Sequence, residues 1–104
     1  MIIARWHIDA RFGQKQTVID SLKTWAREIA NQIGWTKDKV RIATGSIGAL
    51  ESTVEVDVLV QDLTELDASW NKLGSISAHK EWSKQIEPYI VSGTPRWEIF
   101  RIVE

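Results

Sequence analysis

Between residues 53 and 60, Val54, Val56, Val58 and Val60 fall on one side of an extended chain, and Thr53, Glu55, Asp57 and Leu59 fall on the other. Only a strand gathers residues two apart onto one face; a helix would spread the same four valines over opposite sides of its axis. Valine is also stiff at χ1 and packs well on a pleated surface. The chain must therefore contain a sheet with one apolar face that needs a cover and one face of different character. Residues 2–9 repeat the pattern, with Ile2, Ala4, Trp6 and Ile8 against Ile3, Arg5, His7 and Asp9.

The cover is written in the helical period. After Gly13, apolar residues stand at Val18, Leu22, Trp25, Ile29 and Ile33, supported by Ile19, Ala26 and Ala30, with Asp20, Lys23, Arg27, Glu28 and Asn31 on the opposite side. Gly34 supplies a stop. Asp62 and Glu65 have the spacing of a capping box, which predicts a second helix whose inward stripe is Leu63, Leu66, Trp70 and Leu73. Gly74 and Ser75 interrupt that helix. It resumes with Ser75 or Ser77 as a new N-cap and a stripe of Ala78, Trp82, Ile86 and Tyr89 or Ile90, until Pro88, Gly93 and Pro95 end it. Two more strands complete the set, one at Val40, Ile42 and Thr44 leading through Gly45 and Gly48 into the valine strand, and one from Arg96 to Val103.

The order is strand, helix, strand, strand, helix, strand. Two right-handed crossovers joined by a hairpin place both helices on one face of a four-stranded antiparallel sheet, an α+β fold of ferredoxin-like βαββαβ type. With 104 residues there is room for one domain, residues 1–104, and little surplus stability. The face away from the helices is left bare and carries Ile3, Arg5, His7, Asp9, Arg41, Glu55, Asp57 and Leu59. It measures about 400 Å², large enough to act as an association surface. The last strand has apolar residues on both sides, with Trp97, Ile99 and Val103 on one and Phe100 and Ile102 on the other. A homodimer in which two such sheets face each other is expected, its interface built on Ile3, Arg5, His7, Asp9, Asp57 and Leu59, with Arg5, Arg41 and Arg96 compensating Asp9, Glu55, Asp57 or Glu98.

Charge and residue usage exclude several classes of partner. Thirteen Lys and Arg against fourteen Asp and Glu give a formal net charge of −1, without the basic excess that nucleic-acid phosphates demand. There is no cysteine, hence no disulfide and no thiolate metal site or nucleophile. No segment approaches a membrane span and the first residues do not form a signal sequence, so a cytoplasmic protein without membrane contact is expected. Gly45 and Gly48 are too sparse for a phosphate loop, and no nucleophile elbow or zinc helix occurs. Glu51, Glu55 and Asp57 could be paired carboxylates, but on an alternating strand they read better as an ion-paired face.

Two histidines and six tryptophans remain. His79 precedes Trp82 by three positions beside the helix break and is the candidate catalytic residue, able to bind a ligand, ligate a metal or move a proton. The competing readings make it a cap of the second helical segment or a side chain in water. His7 and Asp9 project to one side of a strand as a metal pair would, yet no third ligand has an obvious spacing, so an ion-paired role is preferred and no metal is expected. Trp25, Trp70 and Trp82 lie on helical stripes and fit a core, Trp25 especially. A buried indole N–H still needs a partner. Trp6, Trp70 and Trp82 with His79 and Tyr89 could therefore line a cavity and meet a small aromatic or apolar ligand.

Length, element order, the broken second helix and the closing segment from Gly93 through Arg101 resemble the dimeric α+β barrel proteins, in particular the antibiotic-biosynthesis monooxygenase and NIPSNAP-like groups. The resemblance spans nearly the whole chain. It implies a two-subunit barrel with helices outside and a pocket between sheet and helices in each subunit. Haem-degrading members place a Trp and a His along the second helix as Trp70 and His79 stand here, but the strand position where they carry Asn falls on or next to Trp6, so no bound cofactor is expected. Two functions follow: a cofactor-independent monooxygenase-like or isomerase-like enzyme acting on an aromatic compound, or a non-catalytic ligand-binding or assembly module.

Overall fold

A computed structural model describes all 104 residues, Met1–Glu104. The elements are strand β1 (Ile2–Asp9), helix α1 (Lys15–Glu28) with a 3-10 turn at Ala30–Ile33, strands β2 (Val40–Thr44) and β3 (Thr53–Val60), helices α2 (Leu63–Gly74) and α3 (Ser77–Ile86) with a 3-10 turn at Glu87–Tyr89, and strand β4 (Arg96–Arg101). The sheet order is β2-β3-β1-β4, antiparallel throughout. This is the expected ferredoxin-like arrangement. The two longest strands hold the centre, and each crossover passes over one of them.

The register puts Ala4 opposite Val58, Trp6 opposite Val56 and Ile8 opposite Val54 on β3, and Trp6 opposite Trp97 on β4. Ala4, Ile8 and the four valines are buried to 2% exposure or less and share one cluster with Val18, Leu22, Trp25 and Ile29 of the α1 segment, Leu66 and Leu73 of α2 and Ile86 of α3. All three helices thus lie on the valine side. Each fully buried valine is worth about 1.5–3 kcal/mol of transfer free energy, which makes this layer the main source of stability.

The turns follow local chemistry. Gly34 takes φ +86°, a left-handed conformation that costs glycine least, and ends the 3-10 turn. A side chain at Gly45 would put its Cβ 1.8 Å from the Leu50 carbonyl oxygen, so the β2–β3 connection closes only around a glycine.

Several local expectations are corrected. The first helical run tightens at Ile29 into the 3-10 turn, although its stripe through Ile33 stays buried. Asp62 caps α2 by accepting from the Glu65 N–H at 2.9 Å, but the Glu65 carboxylate reaches back to the Gln61 N–H and not to Asp62. Leu63, at the first helical position, sits on the rim and is 62% exposed. Neither Ser75 nor Ser77 caps α3: the N-cap is Ile76, and the Ser75 hydroxyl donates to the Lys72 carbonyl at 2.6 Å. That break resets the helical phase, so the inward stripe of α3 runs through His79, Trp82 and Ile86 while Ala78 faces solvent. β4 ends at Arg101, and Val103 is exposed.

Candidate functional site

The phase of α3 turns His79 and Trp82 inward, the stripe of α1 supplies Leu22 and Trp25, and the alternation of β1, β3 and β4 supplies Trp6, Val56 and Trp97. With Trp70 and Leu73 of α2 and Ser83 of α3 they enclose a cavity of about 280 Å³ between helices and sheet. Every lining residue except His79 and Ser83 is hydrophobic, and none is a carboxylate, lysine or arginine. A groove of about 480 Å³ running along Arg11, Ile86, Ile90 and Pro95 shares Trp6, Trp82 and Ser83 with it.

All six tryptophans belong to one chain of ring contacts. Trp6 meets Trp82 at 6.3 Å between centroids, Trp82 meets Trp25 at 5.7 Å, Trp25 meets Trp35 at 6.1 Å, Trp35 meets Trp97 at 6.5 Å, and Trp97 meets Trp70 at 5.3 Å. The tilted and edge-on geometries suit the ring quadrupoles. Five of the six face the cavity, Trp35 being the exception.

Their N–H groups are answered unequally. Trp82 donates from Nε1 to the Ser21 carbonyl at 3.1 Å and to the Ser21 hydroxyl at 2.9 Å, which ties α3 to α1. Trp25 donates from Nε1 to Nδ1 of His79 at 3.1 Å. The Nε1 atoms of Trp35 and Trp70 are buried without any partner. The His79 ring stacks on Trp82 at 5.9 Å with 20° between planes, and burial lowers its pKa below the ordinary histidine value. It is neither a cap nor a freely hydrated side chain.

Of the five candidate ligand-binding residues, Trp6, Trp70, His79 and Trp82 converge on the cavity, and Tyr89 lies outside both it and the adjoining groove. Tyr89 is half-buried in the 3-10 turn, where its carbonyl accepts from the Arg11 N–H at 2.8 Å. Trp25, read from the sequence as core, is both core and wall. Trp97 joins the wall through the β1–β4 register, which sets it beside Trp6 and which no local pattern reveals.

The opposite face of the sheet carries the expected charged set. Arg5 donates to Asp57 from Nε at 2.8 Å and from Nη2 at 3.1 Å, Arg41 donates to the same carboxylate at 2.9 Å, and Arg5 lies over the Phe100 ring at 4.8 Å. Burial opposes the charge on Asp57, but the two guanidinium groups outweigh it and hold its pKa below the usual carboxylate range. The same hydrogen bond to Asp57, against the opposing effect of burial, raises the pKa of Arg5. His7 Nδ1 is 3.0 Å from Glu55 and Nε2 is 3.7 Å from Asp9, while Asp9 accepts from the Thr53 hydroxyl at 2.9 Å. Ile3 and Leu59 face each other across the same surface. Glu98 comes close enough that its carboxylate, that of Glu55 and the His7 ring hold ligand atoms within 4.8 Å of one another. Glu55 and Glu98 already have arginine neighbours, Arg5 at 3.7 Å and Arg96 at 3.8 Å.

The cavity does not suit haem, the group that the resemblance to haem-degrading proteins raises. No cation lines it to receive propionates, and about 280 Å³ falls at the small end of ligand sites.

No family model matches the sequence, and no curated protein matches it. Solved structures do. A NIPSNAP family protein from Agrobacterium tumefaciens superposes with a TM-score of 0.81 at 17% identity, covering 99% of this chain and 93% of that one. A protein from Nitrosomonas europaea, provisionally assigned as an antibiotic biosynthesis monooxygenase, gives 0.69 at 5% identity over the full length of both chains. A dimeric protein of unknown function and ferredoxin-like fold from Bacteroides fragilis gives 0.65 at 10% identity, covering 97% of this chain and 96% of that one. Likeness at such low identity speaks for architecture alone, and the architecture is plain: this chain has the ferredoxin-like α+β fold seen in NIPSNAP-family and monooxygenase-like structures.

Proposed function

We propose that this protein is a homodimer that binds a small flat aromatic or apolar ligand in the tryptophan-lined cavity of each subunit. The observation that carries the reading is the convergence of five tryptophans and His79 on one apolar cavity open to the surface. A stabilising core has no use for a void there, because close packing gains dispersion energy that a cavity forfeits. An indole wall is the natural receptor for another flat ring. The dimer rests on the uncovered face of the sheet. On that face Phe100, opposite Ile3 in the register, is 43% exposed, the charged set beside it is largely self-compensated, and one structure of the same fold is described as dimeric.

Two measurements test the reading. Quenching of tryptophan fluorescence is expected when small flat aromatic compounds are titrated in, and silence across a broad panel of them sinks the ligand. Sedimentation at micromolar concentration is expected to give twice the 11.9 kDa chain mass, and a strictly monomeric value sinks the dimer.

A second reading, a monooxygenase acting without cofactor, draws on His79 in the wall and on the fold's monooxygenase-like members. Uptake of O₂ by protein plus an aromatic ligand, with nothing else added, distinguishes it from simple binding.

A further inference from the structure

The hydrogen bond between Trp25 and His79 says more about the ligand than the cavity's shape does. Indole nitrogen can only donate, so Nδ1 of His79 must present its lone pair to the Trp25 N–H at 3.1 Å. In a neutral ring the proton then sits on Nε2. A second proton on Nδ1 would set two donors against each other and break the bond. His79 is thus held as a neutral Nε2–H donor by a residue fifty-four positions earlier in the chain. Its Nε2 has no hydrogen-bond partner within the protein and is not among the fully buried unpartnered atoms, on a ring that forms part of the cavity wall. Burial of the ring reinforces the neutral state.

Besides the indoles, the only other polar side chain of the wall is Ser83, whose hydroxyl can donate or accept; the unpartnered Nε1–H of Trp70 is buried out of a ligand's reach. No lysine, arginine or carboxylate lines the cavity. A charged ligand would lose its hydration without gaining a counter-ion. A hydrocarbon that covered Nε2 would displace its water and leave the N–H unanswered, which costs more than an ordinary hydrogen bond gains. Size narrows the choice further, since an apolar cavity of about 150 Å³ holds one benzene and this one measures about 280 Å³.

Resting on the ligand-binding reading above, we propose that the ligand is an uncharged aromatic of about two fused rings bearing a carbonyl or ring-nitrogen acceptor, which His79 recognises by donating from Nε2 while Trp25 acts as a positioning residue that fixes this tautomer. His79 then orients and polarises the acceptor. It is not the base that takes a proton from the ligand, because its lone pair is already engaged.

The test uses the intact protein and four probes of similar size followed by tryptophan quenching at pH 8: naphthalene, quinoline, chromone and 2-naphthoate. Quinoline or chromone is expected to bind at least about tenfold more tightly than naphthalene, equivalent to ~1.4 kcal/mol, and 2-naphthoate more weakly than either. His79→Phe is expected to erase the preference while still binding naphthalene, and His79→Gln, which keeps an N–H donor, to restore part of it. Nitrogen-15 NMR of the ligand-free protein supplies a readout that does not depend on binding: Nε2 protonated and Nδ1 bare in the wild type, a mixture of tautomers in Trp25→Phe. Equal affinities for all four probes, tightest binding of 2-naphthoate, or the opposite tautomer would each overturn the inference and leave ligand binding itself standing. Failure of every probe to bind the wild type overturns both.

Discussion

On the helix side of β1, Ala4, Trp6 and Ile8 meet valines, tryptophans and leucine; one residue along the same strand, Arg5, His7 and Asp9 point the other way into carboxylates, a hydroxyl and an aromatic ring. The first side is held by burial, which is non-directional and tolerates an irregular boundary. That tolerance lets a cavity persist against it. The second side is held by directed pairs, each needing its partner at a set distance, and such a surface has no slack for a void. The proposed ligand pocket thus draws on the tolerance of the helix side, and the proposed dimer surface on the directed pairs of the other.

The contrast can be broken by substitution. Leu66 is 1% exposed beneath α2, and Leu66→Ala is expected to cost about 3 kcal/mol through lost transfer energy and an unfilled cavity. Asp57→Ala on the other side leaves Arg5 and Arg41 without the carboxylate they share, and a loss of about 2 kcal/mol is expected. Arg41→Ala should cost much less, because the Arg41 side chain is 71% exposed and its pair is screened by water. Urea denaturation of the three variants decides the matter. Equal costs for Asp57→Ala and Arg41→Ala would show that the carboxylate is not the hub of its face.

A smaller effect is expected at the edge of the helical layer. Asp62→Ala removes the cap on the Glu65 N–H and should cost about 1 kcal/mol, with helix content preserved by circular dichroism. A loss as large as that of Leu66→Ala would mean that α2 depends on its cap more than on its buried stripe.

Much of the two-faced sheet was legible in the sequence because alternation is local: the valines of β3 and the mixed row of β1 declare their sides without knowledge of any partner. The bare-face residues followed from the same period together with the handedness of the crossovers. What was not legible depends on register and on helical phase after a break. Trp97 lines the cavity because β4 pairs with β1 so that it stands beside Trp6, and Glu98 approaches His7 through the same pairing. Ala78 and His79 both stand within one turn of Trp82, four and three residues before it, so the period alone does not choose between them, and the helix start at Ile76 turns His79 inward and leaves Ala78 in solvent. Its partner Trp25 lies on a different helix, so no spacing rule could pair them, and Tyr89 was carried by the stripe one turn beyond the helix that ends at Ile86.

The least costly way to compare the two faces is to titrate them. Asp57 has a folded pKa below its ordinary value of 3.8; the unfolded chain therefore binds its proton first, and the stability it contributes is complete above that range and lost as pH falls through the folded value. His79 also has a folded pKa below its ordinary 6.5, but here the favoured folded form is the neutral one. The unfolded chain again binds more protons, so stability is flat above about pH 6.5 and declines as pH falls toward the folded value. The cavity side should therefore weaken first on acidification and the ion-paired side only near pH 4 and below. The His79 ring is only partly buried, so its share is small. Urea midpoints of wild type and His79→Phe, measured from pH 8 to pH 5, are expected to converge or cross as the wild type alone loses stability. Parallel curves over that range would show that the ring takes up its proton as readily in the folded protein as in the unfolded chain, and would remove the distinction between a cavity face that keeps its histidine neutral and a bare face built on charge.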